Sequence, residues 1–191
     1  ALMMQLEADR MRHLNLDPKE FEQEIKVVME ERRLRTEDQP QAQLFEQMGA
    51  VAFQAHPYRV PIIGWMNDLE AMSVQDARDW YERWYEPNNA FVVVVGDVDH
   101  ESVFALAEKY YGPLAARPLP TRKPQVEPEQ KGTRRLTVKA PAELPVVVMA
   151  YKVPVLRDVE KDIDPYALEM LSAILDGHDA ARFSRSLIRE Q

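Results

Sequence analysis

Apolar residues recur at helical spacing along the first third of the chain. Leu2, Met3, Leu6 and Met11 mark an amphipathic helix already under way at Ala1. A second helix starts at Leu16-Asp17-Pro18, with Asp17 as N-cap, Pro18 at the first helical position and Leu16 stapled to Phe21. Pro40 opens a third, with Leu44, Phe45, Met48, Val51 and Ala52 on one side. Ser73 and Asp76 cap a helix that carries Trp80 and Trp84, and Glu86-Pro87-Asn88-Asn89 is turn chemistry. The period then changes. Ala90-Phe91-Val92-Val93-Val94-Val95 is a continuous β-branched run ended by Gly96, which predicts a buried strand. A helix follows over His100–Tyr111, stopped by Gly112 and Pro113. Residues 135–140 and 145–153 read as two further strands, Asp164-Pro165 opens a helix that runs to Gly177, and Asp179 caps another.

Between these stretches the composition shifts. Pro113, Pro118, Pro120, Pro124 and Pro128 interrupt a segment with little else apolar, which predicts an extended, stiff linker. Strands and helices restart after it, so the boundaries are drawn as a first domain over 1–116, a linker over 117–132 and a second domain over 133–191. There is no short-period repeat. The first residues lack the basic and apolar regions of a signal peptide, and both ends read as helices cut short, so the chain reads as excised from something longer.

Composition narrows the chemistry. A net charge of −8 and the absence of a Lys/Arg cluster argue against nucleic acid or an anionic membrane as partner. No apolar run approaches the ~18 residues of a membrane span. The chain has no cysteine, which removes disulfides, thiol catalysis and cysteine zinc knuckles and fits either the cytoplasm or the periplasm. Six dispersed glycines do not make a phosphate cradle, and no G-x-S-x-G elbow surrounds any serine. The four histidines, His13, His56, His100 and His178, form no i,i+4 pair and read as solvated or capping residues.

Two carboxylates stand out. Glu24 and Glu31 are two helical turns apart, on one face of the second helix and on the order of 10 Å apart along its axis. Val27 and Val28 lie between them, and Phe21, Ile25 and Leu34 flank the stripe. Carboxylates in an apolar face need a partner such as a metal, a base or a hydrogen-bond network. The plain alternative is that Glu31 pairs with Arg35 at i+4 while Glu24 bends to solvent.

Read in order, the stretches Phe21 to Glu31, Glu37-Asp38-Gln39-Pro40, His56-Pro57-Tyr58, Pro61-Ile62-Ile63-Gly64, Trp84 to Asn89, Val92 to Asp99, Glu108 to Gly112 and Tyr166 to Leu171 resemble the pitrilysin/insulinase-type zinc peptidases with the inverted H-x-x-E-H motif, which include the mitochondrial processing peptidases. The resemblance covers essentially the whole chain. It implies an α+β fold of two partial α/β halves of the LuxS/processing-peptidase type, antiparallel-rich sheets with helices on one face. It implies that Glu31 is the third zinc ligand and Glu24 a supporting carboxylate. The two histidine ligands and the general base of the family precede the glutamate ligand by roughly 75 residues, more than the chain has before Glu31.

The resemblance therefore implies a zinc metallopeptidase as parent, a peptide or unfolded-protein substrate, and a chain that by itself holds no zinc and hydrolyses nothing. A non-catalytic scaffold or partner subunit of the same family is the alternative. A homo-oligomer or a paralogous partner subunit fits the uncovered apolar faces that truncation would leave, and a bacterial periplasmic location is slightly favoured.

Overall fold

The structure, a computed structural model, describes residues 1–189, the side chain of Arg189 excepted. It divides into two compact units, Ala1–Leu144 and Pro145–Gln191. The first holds six helices: α1 (Leu2–His13), α2 (Pro18–Arg32), α3 (Pro40–Ala52), α4 (Met66–Ala71), α5 (Val74–Trp84) and α6 (His100–Tyr111). The second holds α7 (Asp164–Asp176) and a terminal π-turn, Ser184–Arg189.

Local chemistry accounts for the helix ends. The Asp17 carboxylate accepts from the backbone N–H of Lys19 and Glu20, and Pro18 follows at the first position. Ser73 and Asp76 form a reciprocal capping box at the start of α5. Asp99 accepts from the Ser102 N–H at 2.8 Å to start α6. In the first unit α1 packs on α6, and α2 lies against α4 and α5 before running into a π-turn, Arg33–Glu37, that packs on α3. The apolar core is small. The buried hydrophobic residues are Ala8, Met11 and Leu69, with Ala181 in the second unit.

The predicted α+β class does not hold. No β-strand occurs among the described residues, so the antiparallel-rich sheets of two α/β halves are replaced by a helical chain with extended connections. The apolar run 90–95 and the stretches 135–140 and 145–153 are extended but form no ladder. Phe91 is 89% exposed and Val95 90%. β-Branching favours an extended backbone, but a strand also needs a second backbone to receive its N–H and C=O groups. Period and composition reveal only the first requirement.

The proline-rich stretch after α6 is tied down along its length. The Ala115 carbonyl accepts from Arg12, and the Arg117 carbonyl accepts from Asn88 at 3.1 Å. The Arg122 guanidinium lies 4.6 Å from the Trp84 ring centre. The Glu127 carboxylate then receives three consecutive backbone N–H groups, from Gln54, Ala55 and His56, at 2.8–3.0 Å. Arg134 donates to the last carbonyls of α3, Val51 and Ala52, both at 2.7 Å. One carboxylate and one guanidinium thus satisfy the backbone at and just beyond the C-terminus of α3.

The caps carry a pH dependence. The Ser73 hydroxyl and N–H hold the Asp76 carboxyl below its ordinary value of 3.8, and the Ser102 N–H does the same for Asp99. A carboxylate depressed by folding stabilises the fold above its unfolded value and loses that effect as pH falls through the folded value. Chemical denaturation should therefore give lower stability below about pH 4 than at pH 7, with a smaller loss in the Asp76→Asn variant. At neutral pH, Ser73→Ala should cost about 1 kcal/mol.

Candidate functional site

The face that α2 turns inward is not the face that carries the two carboxylates. At about 100° per residue, with Glu31 as zero, Val28 lies at about 60°, Phe21 at about 80°, Arg32 at about 100° and Ile25 at about 120°. Phe21, Ile25 and Val28 are half-buried, as are Met29, at about 160°, and Glu31 itself at the edge of the stripe, and Arg32 is the helix's one buried residue. Glu24 lies about 20° from Glu31, and Val27 about 40° to the other side. Glu24 is exposed, Val27 is 57% exposed, and the Glu31 side chain is 41% exposed. The carboxylates therefore line the margin between the packed stripe and an open apolar strip. They are not embedded in the packed face, as the apolar pattern suggested, because the stripe is centred on an arginine that hydropathy counts as polar.

Glu31 has a partner at its own helix end. Its Oε1 lies 3.0 Å from Arg35 Nη1, the i+4 pair that the sequence offers.

Arg32, the next residue, holds together three separate segments of the unit. Nη1 and Nη2 donate to the two carboxylate oxygens of Glu46 on α3 at 2.8 and 3.0 Å, a bidentate fork. Nη1 also donates to the Gly64 carbonyl at 2.8 Å. Nε lies 3.3 Å from Glu37 Oε1 but is not aligned for a hydrogen bond. The guanidinium carbon sits 5.8 Å from the Trp65 ring centre. The hydrogen bond to Glu46 raises the Arg32 pKa further above its ordinary value and outweighs the effect of burial, so the group stays cationic. The π-turn contributes to the pairing. In an α-helix Glu37 would lie about 140° round from Arg32. Closing the i→i+5 bond from Asp38 N to Arg33 O at 2.9 Å adds a residue to the turn and swings Glu37 back towards the guanidinium.

A second buried ion pair joins α1 to the residues just after α5. Glu86, 1% exposed, accepts from Arg12 Nη2 at 2.9 Å through Oε2, while its Oε1 lies 3.6 Å from Arg117 and receives no hydrogen bond. It borders a cavity of about 210 Å³ that Arg78, Tyr81 and Tyr85 also line.

The histidines have local roles. His13 Nδ1 pairs with Asp9 at 2.9 Å, and His100 stacks edge-on against Phe104. His56 and His178 accept from the N–H groups of Tyr58 and Ala180. Among the described residues no group of three or more His, Cys, Asp or Glu is placed to hold a metal ion. Carboxylate oxygen is a normal zinc donor, so Glu31 and Glu24 are of the chemical type that a zinc site uses.

Residues 71–191 match the family described as the peptidase M16 inactive domain. The chain belongs to the M16 peptidase family. Zinc protease PqqE of Helicobacter pylori is 38% identical over 178 residues, covering 90% of this chain and 38% of that protein. The mitochondrial-processing peptidase subunit beta of Lentinula edodes is 29% identical over 114 residues, covering 59% of this chain and 24% of that one. The crystal structure of a protease from Helicobacter pylori superposes with a TM-score of 0.74 at 29% identity, covering 98% of this chain and 45% of that structure. The chain thus spans less than half the length of these M16 relatives. Glu24, Glu31 and Arg32 precede the residues that match the inactive-domain family.

Sequence reasoning passed over Arg32, Glu46 and Glu86. Position 32 could have been noticed because it continues the Ile25–Val28 stripe at i+7 and i+4. No local signal marks Glu46 or Glu86. Removing the Glu46 carboxylate leaves a buried cation with a weaker set of acceptors, so Glu46→Ala should destabilise the fold by about 3 kcal/mol in urea titrations, against less than about 0.5 kcal/mol for the exposed Glu20→Ala.

Proposed function

We propose that the complete protein is a zinc metallopeptidase in which this chain supplies Glu31 as a metal ligand and Glu24 as a supporting carboxylate. The observation that carries this reading is the placement of both carboxylates on one line of α2, beside the packed stripe and open to a group approaching from outside. Membership of M16 and similarity to proteins named zinc proteases support zinc as that group. Bound zinc supplies a Lewis acid that polarises a water or a peptide carbonyl. Glu31 would contribute an anionic oxygen, which lowers the net positive charge of the site compared with neutral donors alone. Its ion pair with Arg35 would have to loosen or be shared through the second oxygen. Glu24, two turns further from the anchored end, would orient a neighbouring donor by a hydrogen bond. The substrate class is a peptide or an unfolded protein segment.

A second reading has a specific observation behind it. Two thirds of the chain match a family described as an inactive domain, and one relative is named as a subunit of a processing peptidase. On this reading the protein is a non-catalytic partner subunit.

The two readings separate in the complete protein. For the peptidase, Glu31→Gln should lower bound zinc and peptide hydrolysis by about 100-fold or more, and Glu24→Gln by about 10-fold to 100-fold, with the helical circular dichroism unchanged. A wild-type protein that binds no zinc in elemental analysis and cleaves no peptide unless a second subunit is added supports the partner reading. Full zinc occupancy in Glu31→Gln rules out Glu31 as a ligand.

A further inference from the structure

We infer that Arg32 is a positioning residue for the metal site, through which the fold fixes the orientation of Glu31. The inference rests on the reading of Glu31 as a zinc ligand. A ligand on a helix can hold a metal only if the helix cannot roll or slide, because a displacement of well under 1 Å disturbs the coordination geometry. The end of α2 that carries Glu31 has no fully buried apolar residue, only the half-buried Val28 and Met29. The flanking Leu34 is 58% exposed, and of the helix only Arg32 is buried.

The guanidinium supplies what the core does not. It joins α2 to α3 through the bidentate bond to Glu46 and to the loop before α4 through the Gly64 carbonyl. Glu37 and the ring of Trp65 close round it. A planar fork bound to a carboxylate fixes rotation as well as distance, which a single ammonium would not. Because Arg32 is the neighbour of Glu31 in the same helical turn, the rotation fixed at Arg32 is the rotation of Glu31. The carboxylate then projects about 100° away, at the open margin of the helix. The π-turn that brings Glu37 towards Arg32 follows directly, so the backbone irregularity at this helix end and the anchor form one feature.

The Arg12–Glu86 pair provides a matched control. It is as deeply buried, lies in the same unit and also joins distant segments, but its bonds run to α1 and the segment after α6 instead of to α2. In the complete protein, Arg32→Met should weaken zinc affinity, measured by chelator competition, by about 10-fold to 100-fold. Arg32→Lys, which keeps the charge and loses the fork, should recover part of that loss. The visible spectrum of the cobalt-substituted protein should shift in both variants, and kcat should fall with KM little changed. Glu86→Gln should lower the melting temperature while leaving zinc affinity and the cobalt spectrum as in the wild type. The inference fails if Arg32→Met and Glu86→Gln change zinc affinity equally, or if a folded Arg32→Lys matches the wild type in both affinity and spectrum. Should Arg32→Met not fold, the lysine variant decides alone. Glu31→Gln, measured in parallel, distinguishes the two levels. If it leaves zinc affinity unchanged, the ligand reading and this inference fall together. If it abolishes binding while Arg32→Lys has no effect, only the inference falls.

Discussion

A buried guanidinium organises the first unit of this chain. With few buried apolar residues, the unit has limited hydrophobic area to fix how its helices meet, and Arg32 fills that role with directed bonds. A buried charge is costly unless its acceptors are all in place. That cost makes the arrangement specific. The end of α2, the π-turn, α3 and the loop at Gly64 can adopt only positions that complete the cage round one cation. Glu86 works by the same principle, its carboxylate gathering α1 and the segment after α6 through Arg12 and Arg117. The unit is held by two ionic centres together with a small apolar core.

The segment rich in prolines shows how the chain economises on structure. It has no secondary structure of its own, yet it lies along the unit because isolated polar groups find backbone partners there. Glu127 gathers three successive N–H groups after α3, and Arg134 takes the carbonyls that end that helix. Each proline fixes its own φ and lacks an N–H, so fewer competing backbone bonds are possible. The segment therefore behaves as part of the first unit, and the division between units falls later, after Leu144.

The helices were legible to within a residue or so wherever capping chemistry was explicit. Pro18 and Pro40 at first positions, the Ser73–Asp76 box, and Asp99 before His100 are signals that act within one turn of chain, and each defines a helix start in the structure. The M16 relationship was legible for a similar reason, since it is carried by an ordered series of short stretches. Sheet formation was misjudged, because Phe91 to Val95 carries the composition of a strand and composition says nothing about a pairing partner. The inward side of α2 was legible only in part. Hydropathy named Phe21, Ile25 and Val28, which are half-buried, but put the exposed Val27 and Glu24 on the same face and passed over the charged residue at the middle of the packed stripe.

The sequence alone determined the helix boundaries, the absence of cysteine chemistry, the acidic surface and the common line of Glu24 and Glu31. All of these follow from residues next to one another or one turn apart. The tertiary structure alone decided which side of that line is buried. It also decided that Arg32 meets Glu46 across fourteen residues of chain, and that Glu127 reaches the end of α3 from more than seventy residues away. Such bonds stabilise the fold only after the intervening chain has been ordered, so no local pattern records them. Burial in turn sets their strength, and burial belongs to the assembled unit and not to any residue within it.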